Sequence, residues 1–282
     1  MPYLKKGVIT NNFISLAEYK LYLEEKSLYY EKNNSVLMLF REVNGIYHTY
    51  FYINAFEEIK MPQNVVVEVV NPSDELVEYF LKLGIKAVKS RLEMELKSVN
   101  SEMECNLLVK PSSEEIREAY DIVLSNFDNV YGYVPSQSEF LRDGILIYKD
   151  ESGKIEGIVH YKTVPKCSQI LHIAVIKEKR LCGIGRKILN GYIYLEKDKC
   201  KAFKLWVNEE NENAIRFYEK NGYAFSGRKS AIFSDIGDVW YGRKIIKNFK
   251  WIKTGSWFYF RDSFSRWRNF GFVWYGGISY WD

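Results

Sequence analysis

The sequence predicts a mixed α/β fold: two successive α/β units closed by a short aromatic β-hairpin tail. Three observations carry this. β-branched runs such as 65–70 and 203–207 read as strands, and each is followed by a short helical pattern ending in glycine, at Gly84 and Gly222. The stretch 71–84 echoes the stretch 208–222, so the chain looks internally duplicated. A turn with glycines at 183 and 185 joins a third strand to a helix. A length of 282 residues also suits two domains at about 100–200 residues each.

The echo is specific in places. With Gly84 set on Gly222, Leu76 and Val77 fall on Ala214 and Ile215. Tyr79 and Phe80 fall on Phe217 and Tyr218, and Lys82 falls on Lys220. The chain then reads as a first unit over 1–104, a second over 105–247 and a tail over 248–282.

The second unit opens with a helix over 113–126, capped by Ser112 or Ser113, with Glu114 and Glu115 suiting its first turn. A short irregular or helical connection covers 131–143. Strands follow at 145–149 and 155–163, joined by a turn ending in Gly153, and then at 169–175. A helix over 183–197, a strand at 203–207, a helix at 211–220 and a hairpin near 223–233 and 238–246 complete it.

Composition narrows the function. Forty Lys+Arg against 36 Asp+Glu give a net charge of +4, without the concentrated basic face of a nucleic-acid binder. No apolar run approaches the roughly 18–20 residues of a membrane span, and the start has no secretory core, so a cytoplasmic, soluble protein is expected. Cysteines 105, 167, 182 and 200 lack paired spacing, so neither a metal site nor a disulfide framework is expected.

The loop Arg180–Leu181–Cys182–Gly183–Ile184–Gly185–Arg186 is the candidate for chemistry. A helix start carries unpaired N–H groups and partial positive charge, which bind phosphate where glycine lets it approach. Ile188 stands where a dinucleotide fingerprint needs its third glycine, and no Gly-Lys-Ser/Thr follows. By itself, then, the loop reads equally as a pyrophosphate cradle or as a plain strand–helix turn.

The wider pattern decides between them. Ile173-Ala174-Val175, then Arg180-x-x-Gly183-x-Gly185, then Trp206-Val207 with Asn211-x-x-Ala214-Ile215-x-Phe217-Tyr218-x-x-x-Gly222-Tyr223 resembles the GNAT superfamily of acyl-CoA-dependent N-acetyltransferases. The resemblance implies a tandem GNAT-like fold with acetyl-CoA as co-substrate and a small-molecule, peptide or protein amine as acceptor. It implies that Ile173, Ala174 and Val175 splay from strand 203–207 and offer backbone to the pantetheine arm, with the Val175 N–H near the thioester oxygen. Backbone N–H groups of Leu181, Cys182, Gly183, Ile184, Gly185 and Arg186 would hold the pyrophosphate beside Arg180, Asn211 would bond the arm, and Tyr218 would be the general acid. Direct transfer needs no enzyme nucleophile, so Cys182 has no catalytic role.

No carboxylate base is evident on these strands, although His172 and, less directly, His160 are available imidazoles. Deprotonation through water is the default. The first unit lacks the Gly-x-Gly turn, has Phe80 at the tyrosine position and leaves about a dozen residues between its strands at 46–53 and 65–70. It is expected to be a degenerate copy that binds no coenzyme A. In the tail, Trp251-Ile252-x-x-Gly255 and Phe272-Val273-x-x-Gly276 resemble cell-wall (choline-binding) repeats. The match is partial, with no glycine near Ser265-Arg266, so packing or homo-oligomer contact is the expected tail role and ligand binding the lesser one. The alternative for the whole chain is a non-catalytic acyl-CoA or wall-component binder.

Overall fold

In a computed structural model, residues 7–12, 14–99, 107–127, 130–131 and 134–236 and the backbone of 250–251 are described. Its elements run β1 (Ile9–Thr10), α1 (Leu16–Glu24), β2 (Leu28–Lys32), β3 (Val36–Val43), β4 (Ile46–Ile53), β5 (Val65–Val70), α2 (Asp74–Lys82) and β6 (Lys86–Leu96). They continue β7 (Leu108–Val109), α3 (Glu115–Asn126), α4 (Gln137–Arg142), β8 (Gly144–Lys149), β9 (Ile155–Val164) and β10 (Cys167–Val175). The series ends α5 (Ile184–Glu196), β11 (Phe203–Asn208), α6 (Glu212–Lys220), β12 (Tyr223–Ser234) and β13 (Lys250–Trp251). The mixed α/β class predicted from sequence is what forms. The described residues group into two units, one up to Lys89 together with those from Ser230, the other Ser90–Lys229, so the divisions fall inside β6 and β12 instead of at residue 104.

In the first unit, β2, β3 and β4 make an antiparallel meander, and β5 lies parallel to β4. The 230–234 stretch of β12 closes the far side of β5, and β13 pairs with β2. Helix α2 follows β5, capped by the Ser73 hydroxyl on the Leu76 N–H and ended by Gly84 at a φ of +82°. That left-handed stop is open to glycine without a Cβ penalty. The core stacks Phe80 between Phe51 and Phe233, at ring separations of 5.5 and 5.0 Å.

The β4–β5 pairing spans only Tyr47↔Val65 and His48↔Val66, after which the strands part. β1 and Asn11 enter the gap. Ile9 and Thr10 pair with Ile53 and Tyr52 of β4. The Asn11 amide donates to the carbonyls of Thr49 and Glu68 and its oxygen accepts the Phe51 N–H, at 3.0, 3.0 and 2.9 Å. The chain's own amino-terminal segment thus satisfies the backbone groups that the diverging strands leave open.

The second unit has a meander of its own. β8, β9 and β10 are antiparallel, β11 is parallel to β10, α6 follows, and the 91–95 stretch of β6 pairs antiparallel with β11. Its difference lies in the crossover, where α5 stands between β10 and β11. Alternation along β9 sends Val159 and Tyr161 to a core with Ile188, Leu189 and Tyr192 of α5, and Ile158 to a core with Ala119 and Val123 of α3. The sheet therefore carries α5 and α6 on one face and α3 and α4 on the other. A Cβ on Gly157 would lie 2.6 Å from Ile188 and 2.7 Å from the Ala174 carbonyl, so β9 passes under α5 only as glycine.

Helix α3 starts two residues later than 113, where the Glu115 N–H meets the Ser112 hydroxyl and the Glu115 carboxylate takes the Ser112 N–H. The connection at 131–143 contains the six-residue α4, held by a Ser136–Glu139 capping box. The second hairpin arm at 238–246 and the aromatic tail beyond Trp251 lie outside the described residues.

Candidate functional site

Parallel pairing between β10 and β11 covers only Ser168–Ile170 against Phe203–Leu205. A bulge between Ile170 and His172 then turns β10, and its last residues stay paired to β9 alone. The Ile176 N–H donates to the Glu156 carbonyl across β9. By the alternation of an extended strand, the Val175 N–H points to the opposite edge, where β11 has departed. By the same alternation the Ile173 backbone groups also point to that open edge, while Ala174 turns its own toward Ile158 of β9.

Beyond Val175 the chain makes one 3₁₀ turn at Lys177–Lys179 and enters the glycine loop. Leu181 has a φ of +64° and Gly183 one of +80°, and Gly183 is the N-cap of α5. No backbone N–H from Leu181 to Arg186 donates to another backbone group among the described residues. Leu181, Cys182 and Gly183 are exposed, and so are Lys177 and Arg186. The helix dipole, the N–H groups without backbone acceptors and these cations together favour an anion at this turn. A Cβ on Gly185 would sit 3.6 Å from the Phe217 ring and 3.9 Å from Val175, in ordinary contact, so Gly185 packs α5 against the Phe217 ring of α6.

Arg180 makes its contacts beside the loop. Its Nε donates to the Val175 carbonyl at 3.3 Å and its Nη2 to the Asn126 side chain, tying the loop to the end of α3. Asn211 caps α6, its Oδ1 accepting the Ala214 N–H at 3.1 Å, which leaves its amide hydrogens available. Tyr218 packs in the same core as Ile173, Val175, Ile184 and Phe217 and is 7% exposed. Burial holds its phenol well above the usual 10.0, so it stays a proton donor. Its hydroxyl makes no hydrogen bond among the described residues.

On the opposite face, β10 and β9 bring His172 and His160 together with their Nδ1 atoms 3.0 Å apart. His160 Nε2 lies 3.1 Å from Asp143 Oδ2. The sequence offered both imidazoles but not this contact, nor Asp143 as its third member. Two other acids of the chain are engaged elsewhere. Glu139 sits in its capping box, and Asp235 takes the N–H groups of Asn64 and Val65. Tyr133 and Asp238 lie outside the described residues. Beside this face, Glu93 of β6, 3% exposed, is held by Ser226 at 2.7 Å and Arg228 at 2.9 Å. No helix among the described residues is long and apolar enough to cross a membrane.

Residues 113–223 match the family model described as "Acetyltransferase (GNAT) family". An uncharacterized Bacillus subtilis protein, YdhI, is 35% identical over 78 residues, 27% of this chain and 48% of its own length. The chain thus spans about half the length of the curated relative it matches. A GCN5-related N-acetyltransferase from Kribbella flavida superposes with a TM-score of 0.50 at 12% identity, covering 79% of this chain and 95% of its own. A second from Sphaerobacter thermophilus superposes at 0.50 with 14% identity, covering 72% and 81%. At these identities the two likenesses concern the fold.

Proposed function

From the match of residues 113–223 to that family model we propose that the protein transfers an acetyl group from acetyl-CoA to an amine. The observation that carries the reading is the end of β10–β11 pairing at Ile170/Leu205, directly before a loop with unpaired N–H groups. The residues fit the group: an open strand edge suits an amide-bearing arm, and the Gly183 turn suits a pyrophosphate.

Bound acyl-CoA supplies an activated acyl carbon on a thioester. The chain's residues do the rest. Backbone groups of Ile173 align the arm, and the Val175 N–H stabilises negative charge on the thioester oxygen. The N–H groups from Leu181 to Arg186 hold the pyrophosphate. The Asn211 amide donates to the arm while its oxygen stays in the α6 cap. Tyr218 delivers its proton to the departing sulfur. Arg180 serves by bracing the loop against Asn126 instead of by touching phosphate.

The first unit is read as a second copy of the fold without a cofactor site. Its β4–β5 gap is filled by Asn11, and no helix stands between those strands. Calorimetry of the full chain with acetyl-CoA is expected to give one site per chain, and thiol release over a panel of amines tests turnover. Two sites per chain would overturn the reading of the first unit. Binding without thiol release across the panel would favour the non-catalytic alternative.

A further inference from the structure

Lys179 and Arg180 are consecutive, and they tie the entry of the glycine loop to two different elements. The Arg180 guanidinium bonds the Val175 carbonyl and the Asn126 side chain at the end of α3. The Lys179 ammonium instead meets Glu156 Oε1 at the start of β9. The 3₁₀ turn between β10 and the loop is closed by the Lys179 N–H on the Ile176 carbonyl, and the Ile176 N–H donates to the Glu156 carbonyl. Glu156 therefore holds this turn twice, once through its backbone and once through its carboxylate. Ile176 packs against the core that α3 and β9 share.

The two partners are unequally buried. The Glu156 side chain is 6% exposed and that of Lys179 is 47% exposed. Beyond the ion pair, Glu156 Oε1 has no partner among the described residues. A carboxylate removed from water needs such a partner, so the pair fixes where the Lys179 end of the turn can lie. Asp150, the next acid, is occupied by its own turn, where it accepts the N–H groups of Ser152 and Lys154. The bonded Glu156 carboxylate raises the Lys179 ammonium above its usual pKa, with Asp150 adding to the effect, so the cation keeps its charge. Two residues on, Leu181 stands at a φ of +64°, which is unfavourable for a residue with a Cβ. A loop entry without its braces would let Leu181 relax and would turn the N–H groups that follow it.

Resting on the acyltransferase reading above, we propose that Glu156 and Lys179 are positioning residues for acyl-CoA, whose ion pair holds the Leu181–Arg186 turn in the shape that receives a pyrophosphate. The pair acts through the loop backbone. It sets affinity for the cofactor and leaves the rate of acyl transfer alone.

Glu156→Gln separates bracing from plain electrostatics, because the two predict opposite signs. Loss of a negative charge beside an anion site strengthens anion binding by Coulomb attraction, whereas loss of a brace weakens it by freeing the loop. In calorimetry of the full chain, Glu156→Gln and Lys179→Met should each raise the Kd for acetyl-CoA about tenfold. Lys179→Arg, which keeps the ion pair, should stay within about threefold, and the double variant should bind no worse than either single one. In thiol-release kinetics the KM for acetyl-CoA should rise while kcat stays within about twofold. Without cofactor, amide hydrogen exchange over 177–186 should be faster in both single variants. Glu156→Gln that binds acetyl-CoA as tightly as the unaltered chain, or more tightly, overturns the proposal. If Glu156→Gln does not fold, the half-exposed Lys179 carries the test: equal affinity of Lys179→Met and Lys179→Arg, or unchanged exchange in Lys179→Met, overturns it. An unaltered chain that binds no acetyl-CoA sinks the acyltransferase reading and the brace together; an unaltered chain that binds it no better than Glu156→Gln sinks the brace alone.

Discussion

The Asn11 amide donates to the Glu68 carbonyl at 3.0 Å, across 57 positions of sequence. Because the same side chain also bonds Thr49 and Phe51 of β4, it acts as a missing strand between β4 and β5. Asn11→Ala would strand three backbone groups in a half-buried gap. Urea unfolding of the full chain should show a loss of roughly 2 kcal/mol. An unchanged midpoint would mean that water replaces the amide at no cost.

Gly157 and Gly185 make opposite demands. A Cβ at 157 meets the Ala174 backbone at 2.7 Å, which cannot swing aside, so Gly157→Ala should cost about 1–3 kcal/mol by overpacking. A Cβ at 185 meets only the Phe217 ring at 3.6 Å. Gly185→Ala should therefore melt near the unaltered protein, while a bulkier residue there should weaken acetyl-CoA binding in calorimetry.

Tyr218→Phe removes a proton but little volume. Its kcat should fall at least tenfold, with the melting temperature and the KM for acetyl-CoA nearly unchanged. Undiminished turnover would remove Tyr218 from the mechanism.

Burial raises the phenols of Tyr161, Tyr192, Tyr218 and Tyr223 above the ordinary 10.0. A raised folded-state value means that the unfolded chain loses protons first. The stabilisation is fully present below pH 10.0 and declines as pH climbs above it. Denaturant midpoints measured from pH 8 to 11 should be flat at first and then fall.

Cysteine reactivity should separate the loop from the core. Cys182 is exposed, whereas burial pushes the Cys167 thiol up to about 11. In a Cys105→Ser background, thiol labelling at pH 8 should modify Cys182 well ahead of Cys167. Acetyl-CoA should slow it if the cradle is used as proposed.

The starts of α5 and α6, the glycine stops and the strand–loop–helix order of the second unit were legible, because each depends on residues a few positions apart. Ser73 and Asn211, aligned by the internal echo, indeed cap α2 and α6. The role implied for Arg180 was not legible in the same way. Its partner Asn126 lies 54 positions away, at the end of a helix on the other face.

The sequence by itself determined the mixed α/β class, the strand–helix turn at Gly183 and the tyrosine on α6, since local spacing and backbone chirality specify them. Only the tertiary structure decided that His172 meets His160, and that Asn11 fills the first unit's gap. The first depends on the register of β9 against β10 through a one-residue bulge, and a slip of one position would send either ring to the other face. The second depends on backbone groups exposed where two parallel strands part, a vacancy that exists only once both strands are in place.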